Sequence, residues 1–110
     1  MRLTNIIPWL LITFLVLVIL SFADRPTESL WIGRPPPSLP ASIHKVALRK
    51  LTQLNSVHLL AELRIPPGNR LEPLKGNRHG QHSIRVNDQY SLSFRWDGHN
   101  AHQAEIIDYH

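Results

Sequence analysis

The chain has 110 residues, of which 43% are apolar and 18% are charged, a balance typical of globular proteins that excludes a disordered chain. Its length allows one domain with one modest core, and the absence of cysteine excludes a disulfide framework and a thiolate metal site. Lysine and arginine total 12 against 8 acids, and the net charge of +4 suits a polyanionic partner such as RNA as well as it suits a merely soluble surface.

The first 23 residues allow three interpretations. Residues 3–23 form an uncharged segment whose length is close to the roughly 20 residues that a membrane span needs. Arg2 precedes this segment, as a basic residue does in a signal peptide. Residues 18–22 are also a β-branched and aromatic run, as in the first strand of a soluble sheet. Translation starting at Val18 would reconcile these features. We therefore expect a hydrophobic extension of start-site origin over 1–17 and one domain over 18–110, with an anchored or secreted protein as the alternative.

Helices are predicted in the first half of the domain. Asp24 can cap a short helix over 27–32, and Pro40 opens a longer helix in which apolar residues recur at steps of three and four as far as Leu54. The charged residues of this second helix, Lys50 among them, are expected on a solvated face. A further helical turn is predicted over residues 57–63.

Strands are predicted in the second half, where the periodicity changes from helical to alternating. The predicted strands cover residues 70–74, 81–86, 90–96 and 104–109. Asn87-Asp88 and Asp97-Gly98 are favourable hairpin turns between them. The order of elements predicts an α+β domain, with a small, twisted, mostly antiparallel sheet and two or three helices packed on one face. The expected core residues are Leu30, Ile43, Val46, Leu51, Leu54, Leu74, Ile84, Leu92, Phe94 and Ile106.

Two polar stretches are candidates for chemistry. No Walker loop, dinucleotide fingerprint, zinc-protease motif or nucleophile elbow is present, and the spacing of the seven histidines does not favour a metal site. The stretches comprise Arg70, Glu72, Lys75 and Arg78, and the chain-ending Asp108, Tyr109 and His110. In an antiparallel sheet they could face each other across a concave surface. They would then offer the base, cations and acid of metal-free RNA cleavage, although charged turns and a polar tail explain the same residues.

The amino-acid sequence of these segments resembles that of the HigB family, the plasmid maintenance system killer proteins of the RelE/ParE-type toxin superfamily. The most specific parts are the block L-x-x-L-K-G-x-R-x-G-x-x-S-I, which begins at Leu71, and the terminal D-Y-H. The resemblance extends from Ile19 to the end of the chain. It implies a RelE-like fold and a ribosome-dependent mRNA endonuclease, which cuts by attack of the 2′-OH on the adjacent phosphate and needs no metal or other cofactor.

The resemblance also implies roles for individual residues. Lys75 would hold phosphate, and Glu72 stands where some members have a catalytic His. The remaining catalytic positions would be Asp108, Tyr109 and His110. The expected RNA-binding residues are Arg70, Arg78, Arg85 and Arg95. The implied partners are the ribosomal A site with its mRNA and a helix-turn-helix antitoxin of the HigA type. Operator DNA would be bound only indirectly, through the complex with this antitoxin. A cytoplasmic location without membrane association is expected.

Ser91 departs from the family pattern, because members usually carry an arginine at this position. Loss of one donor to a developing negative charge can lower a rate by roughly a hundred- to a thousandfold. The departure predicts a weakened toxin. It also leaves open the alternative that the protein is a relic, which binds its antitoxin without cutting RNA. Gyrase poisoning, as in ParE-type toxins, is a further alternative, which the D-Y-H ending disfavours.

Overall fold

A computed structural model describes residues 17–108. In this range two α-helices precede four strands: α1 Arg25–Trp31, α2 Ala41–Leu54, β1 Glu72–Pro73, β2 His82–Arg85, β3 Tyr90–Trp96 and β4 Ala101–Asp108. The 3₁₀ helices Leu60–Arg64, Pro67–Asn69 and Gly76–Arg78 lie between α2 and β2. The predicted α+β order is confirmed.

The helices begin where their capping residues predict. The Asp24 carboxylate accepts a hydrogen bond from the Thr27 backbone N–H at 3.0 Å, so α1 starts at Arg25, two residues earlier than expected. Pro40 directly precedes α2, which ends at Leu54. The helical turn expected over 57–63 is present as the 3₁₀ helix Leu60–Arg64.

The sheet is a meander in the order β1-β2-β3-β4, and each adjacent pair is antiparallel. The Asn87 carboxamide oxygen accepts from the backbone N–H groups of Gln89 and Tyr90, which closes the β2–β3 turn. In the next turn the Asp97 carboxylate accepts hydrogen bonds from the backbone N–H groups of His99 and Asn100. Gly98 has a φ of 101°, which residues other than glycine rarely adopt. Both predicted hairpin turns are therefore confirmed.

Three strand boundaries were predicted incorrectly. The expected first strand, residues 18–22, forms only two isolated parallel bridges, from Ile19 to Ala101 and from Phe22 to Ala104. The last strand starts at Ala101 rather than at residue 104, and Gln103 within it has a φ of 54° where the β3–β4 register shifts. The strand expected over 70–74 shrinks to Glu72–Pro73, because Arg70 is left-handed and Pro73 has no N–H to donate.

The core lies between the helices and one face of the sheet. Of the ten expected residues, nine are buried and Val46 is half-buried against the cluster. Lys50 was expected on a solvated face and is instead buried, because its ammonium group donates to the carboxamide oxygen of the fully buried Asn69. No helix within residues 17–108 is long and apolar enough to span a membrane. Most of residues 1–23, on which the prediction of a membrane anchor or signal peptide depends, lie outside the described residues.

Candidate functional site

The sheet has one covered and one open face. Ile84, Leu92 and Phe94 are fully buried against the helices. Because side chains alternate along a strand, their neighbours Ser83, Arg85, Ser91 and Ser93 point away from the helices. Registers confirm this, since Ser83 pairs with Ser93 and Arg85 pairs with Ser91. We call this surface the open face.

A cavity of about 420 Å³ lies on the open face. It is lined by Arg70, Glu72, Ser83, Arg85, Asn87, Asp88 and Ser91. Two arginines and two carboxylates bring its formal charge to zero. Both arginines are candidate RNA-binding residues, and Glu72 is the candidate base, so the fold brings three of the predicted residues to one concave site.

Arg85 is held at the cavity by the β2–β3 turn. Its Nε donates to the backbone oxygen of Asn87 at 3.1 Å, and its terminal nitrogen forms an ion pair with the Asp88 carboxylate. The Asp88 side chain is 97% exposed. An ion pair with so exposed a partner stabilises the fold by at most about 1 kcal/mol. An incoming anion can therefore replace the Asp88 carboxylate at little energetic cost.

Arg70 reaches the cavity from the other side, because the chain turns sharply there. Its φ of 47° and ψ of 52° place it in the left-handed region, which is unusual for a residue with a side chain. Its backbone N–H donates to Pro67 at 3.1 Å, which ends the 3₁₀ helix Pro67–Asn69. The side chain is thus presented from a defined turn rather than from a strand.

Arg78 and Arg95 extend the basic surface of the open face beyond the cavity. Arg78 Nη1 lies 3.2 Å from Glu105 Oε1, and Arg95 Nε donates to Gln103 Oε1 at 2.9 Å. Gly80 permits this arrangement, since a Cβ at that position would lie 2.7 Å from Arg95 Nη1. All four candidate RNA-binding arginines therefore flank one surface.

The predicted catalytic residues are not brought together as a complete set within residues 17–108. Lys75 is exposed beside the 3₁₀ helix Gly76–Arg78 and does not line the cavity. Asp108 pairs with Tyr90, which places it on the covered-face side, and it accepts a hydrogen bond from Gln89 at 2.8 Å. β1 and β4 are separated by two strands, or about 14 Å across the sheet. Tyr109 and His110 lie outside the described residues.

Two histidines on the strands, His82 and His102, make local contacts. His102 Nε2 lies 2.6 Å from Asp97 Oδ2, and this hydrogen bond, with two backbone N–H donors, lowers the pKa of Asp97 to about 2. Burial lowers the pKa of His82, whose ring stacks on Phe94. In the part of the chain that is described, no three His, Asp or Glu side chains are arranged to hold a metal ion. Metal-free chemistry stays a prediction.

Sequence reasoning did not assign three of the residues that line the cavity, which are Ser83, Asn87 and Asp88. Asp88 was interpreted only as a turn residue, although its place three residues after Arg85 across a tight turn permits the ion pair. Ser83 was missed because a serine in a strand carries no distinctive signal. Its location on the open face follows only once the register with Ser93 and Glu72 is known.

Sequence comparison relates this chain to a known family of toxins. A family model described as the RelE-like toxin of the type II toxin–antitoxin system HigB matches residues 33–110, which is more than half of the chain. Toxin HigB-1 of Vibrio cholerae serotype O1 is 52% identical over 58 residues, covering 53% of this chain and 61% of that toxin. The chain therefore spans about three-fifths of the length of this relative.

Two further proteins are similar over part of the chain. An uncharacterized protein of Haemophilus influenzae is 36% identical over 68 residues, covering 62% of this chain and 67% of that protein. A YoeB/ParE toxin from Agrobacterium tumefaciens superposes with a TM-score of 0.36 at 20% identity, over 57% of this chain and 76% of the other.

The class of protein is thus a RelE-like toxin of a type II toxin–antitoxin system. Within that class, the chain belongs to the HigB-like toxin family. The resemblance predicted from the L-x-x-L-K-G block is confirmed.

Proposed function

We propose that this toxin is an endoribonuclease that cuts mRNA in the vacant A site of the ribosome. The observation that carries the proposal is the cavity on the open face, where Arg70 and Arg85 from two separate segments flank Glu72. Two guanidinium groups around a small concave site fit one phosphodiester of a single strand. Ser83, Asn87, Asp88 and Ser91 also line the cavity and supply further polar contacts.

The reaction follows from placing the scissile phosphate between the two arginines. Glu72 accepts the proton of the 2′-OH, and the 2′-oxygen forms a bond to phosphorus. The bond from phosphorus to the 5′-oxygen breaks, and an acid protonates that oxygen. We assign the acid to His110, since histidine titrates near neutrality. The products are a 2′,3′-cyclic phosphate and a free 5′-hydroxyl end.

The other predicted residues act around this centre. Lys75 contacts a phosphate beside the scissile one, since it is exposed on the segment that follows β1. Asp108 and Tyr109 orient the end of the chain and the base beside the cut. Arg78 and Arg95 hold the strand where it leaves the cavity, and RNA phosphate competes with Glu105 and Gln103 for them.

Ser91 supports an attenuated enzyme. Where the family usually has an arginine, this chain presents a hydroxyl that is 8% exposed and directly opposite Arg85. Arg85 is therefore the residue best situated to supply the missing charge. A relic that binds antitoxin without cutting RNA is the second candidate function, and the same serine favours it.

The partner and location follow from the toxin class. We propose a helix-turn-helix antitoxin of the HigA type, operator binding only through the toxin–antitoxin complex, and action in the cytoplasm. The toxin domain is assigned to residues 18–110. In support, Val18 is buried in the core and its backbone oxygen accepts a hydrogen bond from Ala101 at 2.9 Å.

The test uses purified ribosomes programmed with an mRNA whose A-site codon is vacant. The toxin is expected to cut within that codon, to leave a 2′,3′-cyclic phosphate, and to lose activity when a tRNA fills the site. Glu72→Gln keeps the size of the side chain and removes the base, so it should abolish cutting without preventing ribosome binding. No cutting by a folded, ribosome-bound wild-type protein would favour the relic.

A further inference from the structure

A buried polar network joins α2 to the turn that carries Arg70. Lys50 Nζ donates to Asn69 Oδ1 at 2.5 Å, and Asn69 Nδ2 donates to Gln53 Oε1 at 2.9 Å. The same Nδ2 lies 3.0 Å from the backbone oxygen of Leu63, and Gln53 Nε2 donates to that of Ile65 at 2.6 Å. Asn69 is 0% exposed. One carboxamide thus holds a helix and both ends of the 63–69 segment.

The position of this network bears on the cavity rather than on the core alone. Asn69 immediately precedes Arg70, the left-handed residue whose side chain lines the cavity. On the other side of Arg70, Leu71 packs against the core. A left-handed backbone at a residue with a side chain persists only where its surroundings enforce it. The fixed neighbours Asn69 and Leu71 are those surroundings.

A purely structural role explains the network poorly. Within residues 17–108 Lys50 has no carboxylate at ion-pair distance, and burial followed by the charge of Arg49 lowers its pKa. Burial of an ammonium group with a carboxamide as its partner opposes stability. What the polar network provides, and an apolar pair would not, is a directional hold on the backbone before Arg70.

We propose that Asn69, fixed by Lys50 and Gln53 of α2, is a positioning residue that holds Arg70 in the conformation in which it binds RNA phosphate. This inference rests on the proposed function and adds to it a buried residue that does not itself line the cavity. Asn69 touches no substrate. It acts through the backbone of Arg70.

The experiment compares Asn69→Ala with a matched control, Thr27→Val. Thr27 is also 0% exposed, and its hydroxyl accepts the backbone N–H of Ile106 at 2.8 Å, so the control loses one buried hydrogen bond away from Arg70. Gln53→Ala is a milder variant, which keeps the Lys50–Asn69 bond in case Asn69→Ala does not fold. Two quantities are measured in the full-length protein. They are the backbone ¹⁵N order parameter of Arg70 and the affinity for ribosomes programmed with an mRNA whose vacant A-site codon carries 2′-O-methyl groups, which block cutting.

The expected order parameter of Arg70 is about 0.85 in the wild type and in Thr27→Val, and below about 0.6 in Asn69→Ala. Affinity for the programmed ribosome should fall about tenfold in Asn69→Ala. In a second set of proteins that also carry Arg70→Ala, the same substitution should change affinity by less than about twofold, because the residue it positions is gone. Gln53→Ala should show the same pattern with smaller changes.

Two results would overturn the inference. If Arg70 stays rigid in Asn69→Ala, or if affinity falls equally with and without Arg70, then Asn69 is only structural. If Arg70 loosens as expected but the wild type has no measurable affinity for the programmed ribosome, the proposed function is contradicted, and the role of Asn69 in RNA binding falls with it. The order parameter therefore separates failure of the positioning role from failure of the function.

Discussion

Arg85 and Ser91 lie directly opposite each other on β2 and β3, and both line the cavity of the open face. In an antiparallel pair, Cβ atoms of opposite residues are about 5 Å apart. A guanidinium on Arg85 can therefore reach the space that a longer side chain at position 91 would occupy. Under the proposed function, Arg85 would supply the charge that an arginine at position 91 would otherwise supply, and this leads to the first two predictions.

Ser91→Arg should raise the rate of mRNA cutting by roughly a hundredfold, because it restores a donor to the negative charge that develops on the phosphate. The measurement is the single-turnover rate on programmed ribosomes. Ser91→Gln adds length without charge and should give less than a tenth of that gain. An unchanged rate in Ser91→Arg would mean that Ser91 is not the cause of attenuation.

Asp88→Asn should strengthen RNA binding by up to about fivefold, since it frees Arg85 from an exposed ion pair worth at most about 1 kcal/mol. Arg85→Ala should weaken binding by about tenfold or more, because a charge-assisted contact to phosphate is lost. Both effects are measured with ribosomes programmed with the 2′-O-methyl mRNA, which is not cut.

The matched control for Asp88→Asn is Asp97→Asn. It removes the same charge from the turn between β3 and β4, whose residues do not line the cavity. Its effect on affinity for the programmed ribosome should be close to none. Equal gains in the two variants would show that only net charge matters, and the assignment of Arg85 to the RNA site would be withdrawn.

The general architecture could be predicted from local signals. The cap at Asp24, the apolar stripe of α2 and the two hairpin turns each depend on residues close together in the chain, and all were predicted correctly. The reduced first strand was not predictable in this way. It depends on the partner groups of Ala101 and Ala104, which are about 80 residues away.

A stability prediction compares two leucines of α2. Leu51→Ala should reduce the free energy of unfolding by about 2–5 kcal/mol, because Leu51 is 0% exposed and the truncation leaves a cavity. Leu48→Ala makes the same chemical change at a residue that is 38% exposed, so it should cost less than about 1 kcal/mol. Urea unfolding of both variants gives the comparison. Similar losses would show that the assigned helix face is wrong.

Acid stability should depend on Asp97. Its hydrogen bond with His102, assisted by two backbone donors, lowers the pKa from 3.8 to about 2, so the carboxylate stabilises the fold fully above pH 3.8. That contribution is lost as the pH falls from about 4 to about 2. The melting temperature of the wild type should exceed that of Asp97→Asn near pH 6, and the difference should shrink across the acid range. A difference independent of pH would refute the lowered pKa.

The candidate site could be predicted only in part, and for a physical reason. Arg70, Glu72 and Arg85 were identified from their residue types and from the sequence resemblance to the family, and they do line one cavity. The burial of Lys50 was missed, since its positive charge indicated a solvated side chain and its partner Asn69 is 19 residues later. Contacts between segments decide such cases, and a single sequence does not display them.

The most direct test of the account is to induce the full chain, and residues 18–110 alone, in a bacterium without the antitoxin while mapping mRNA ends. His110→Ala is run beside each. We expect growth arrest, with cuts inside translated codons that are weak in the wild type, stronger in Ser91→Arg and absent in His110→Ala. A folded product that causes neither arrest nor cuts, even with Ser91→Arg, would contradict the nuclease and leave a protein that only binds its antitoxin.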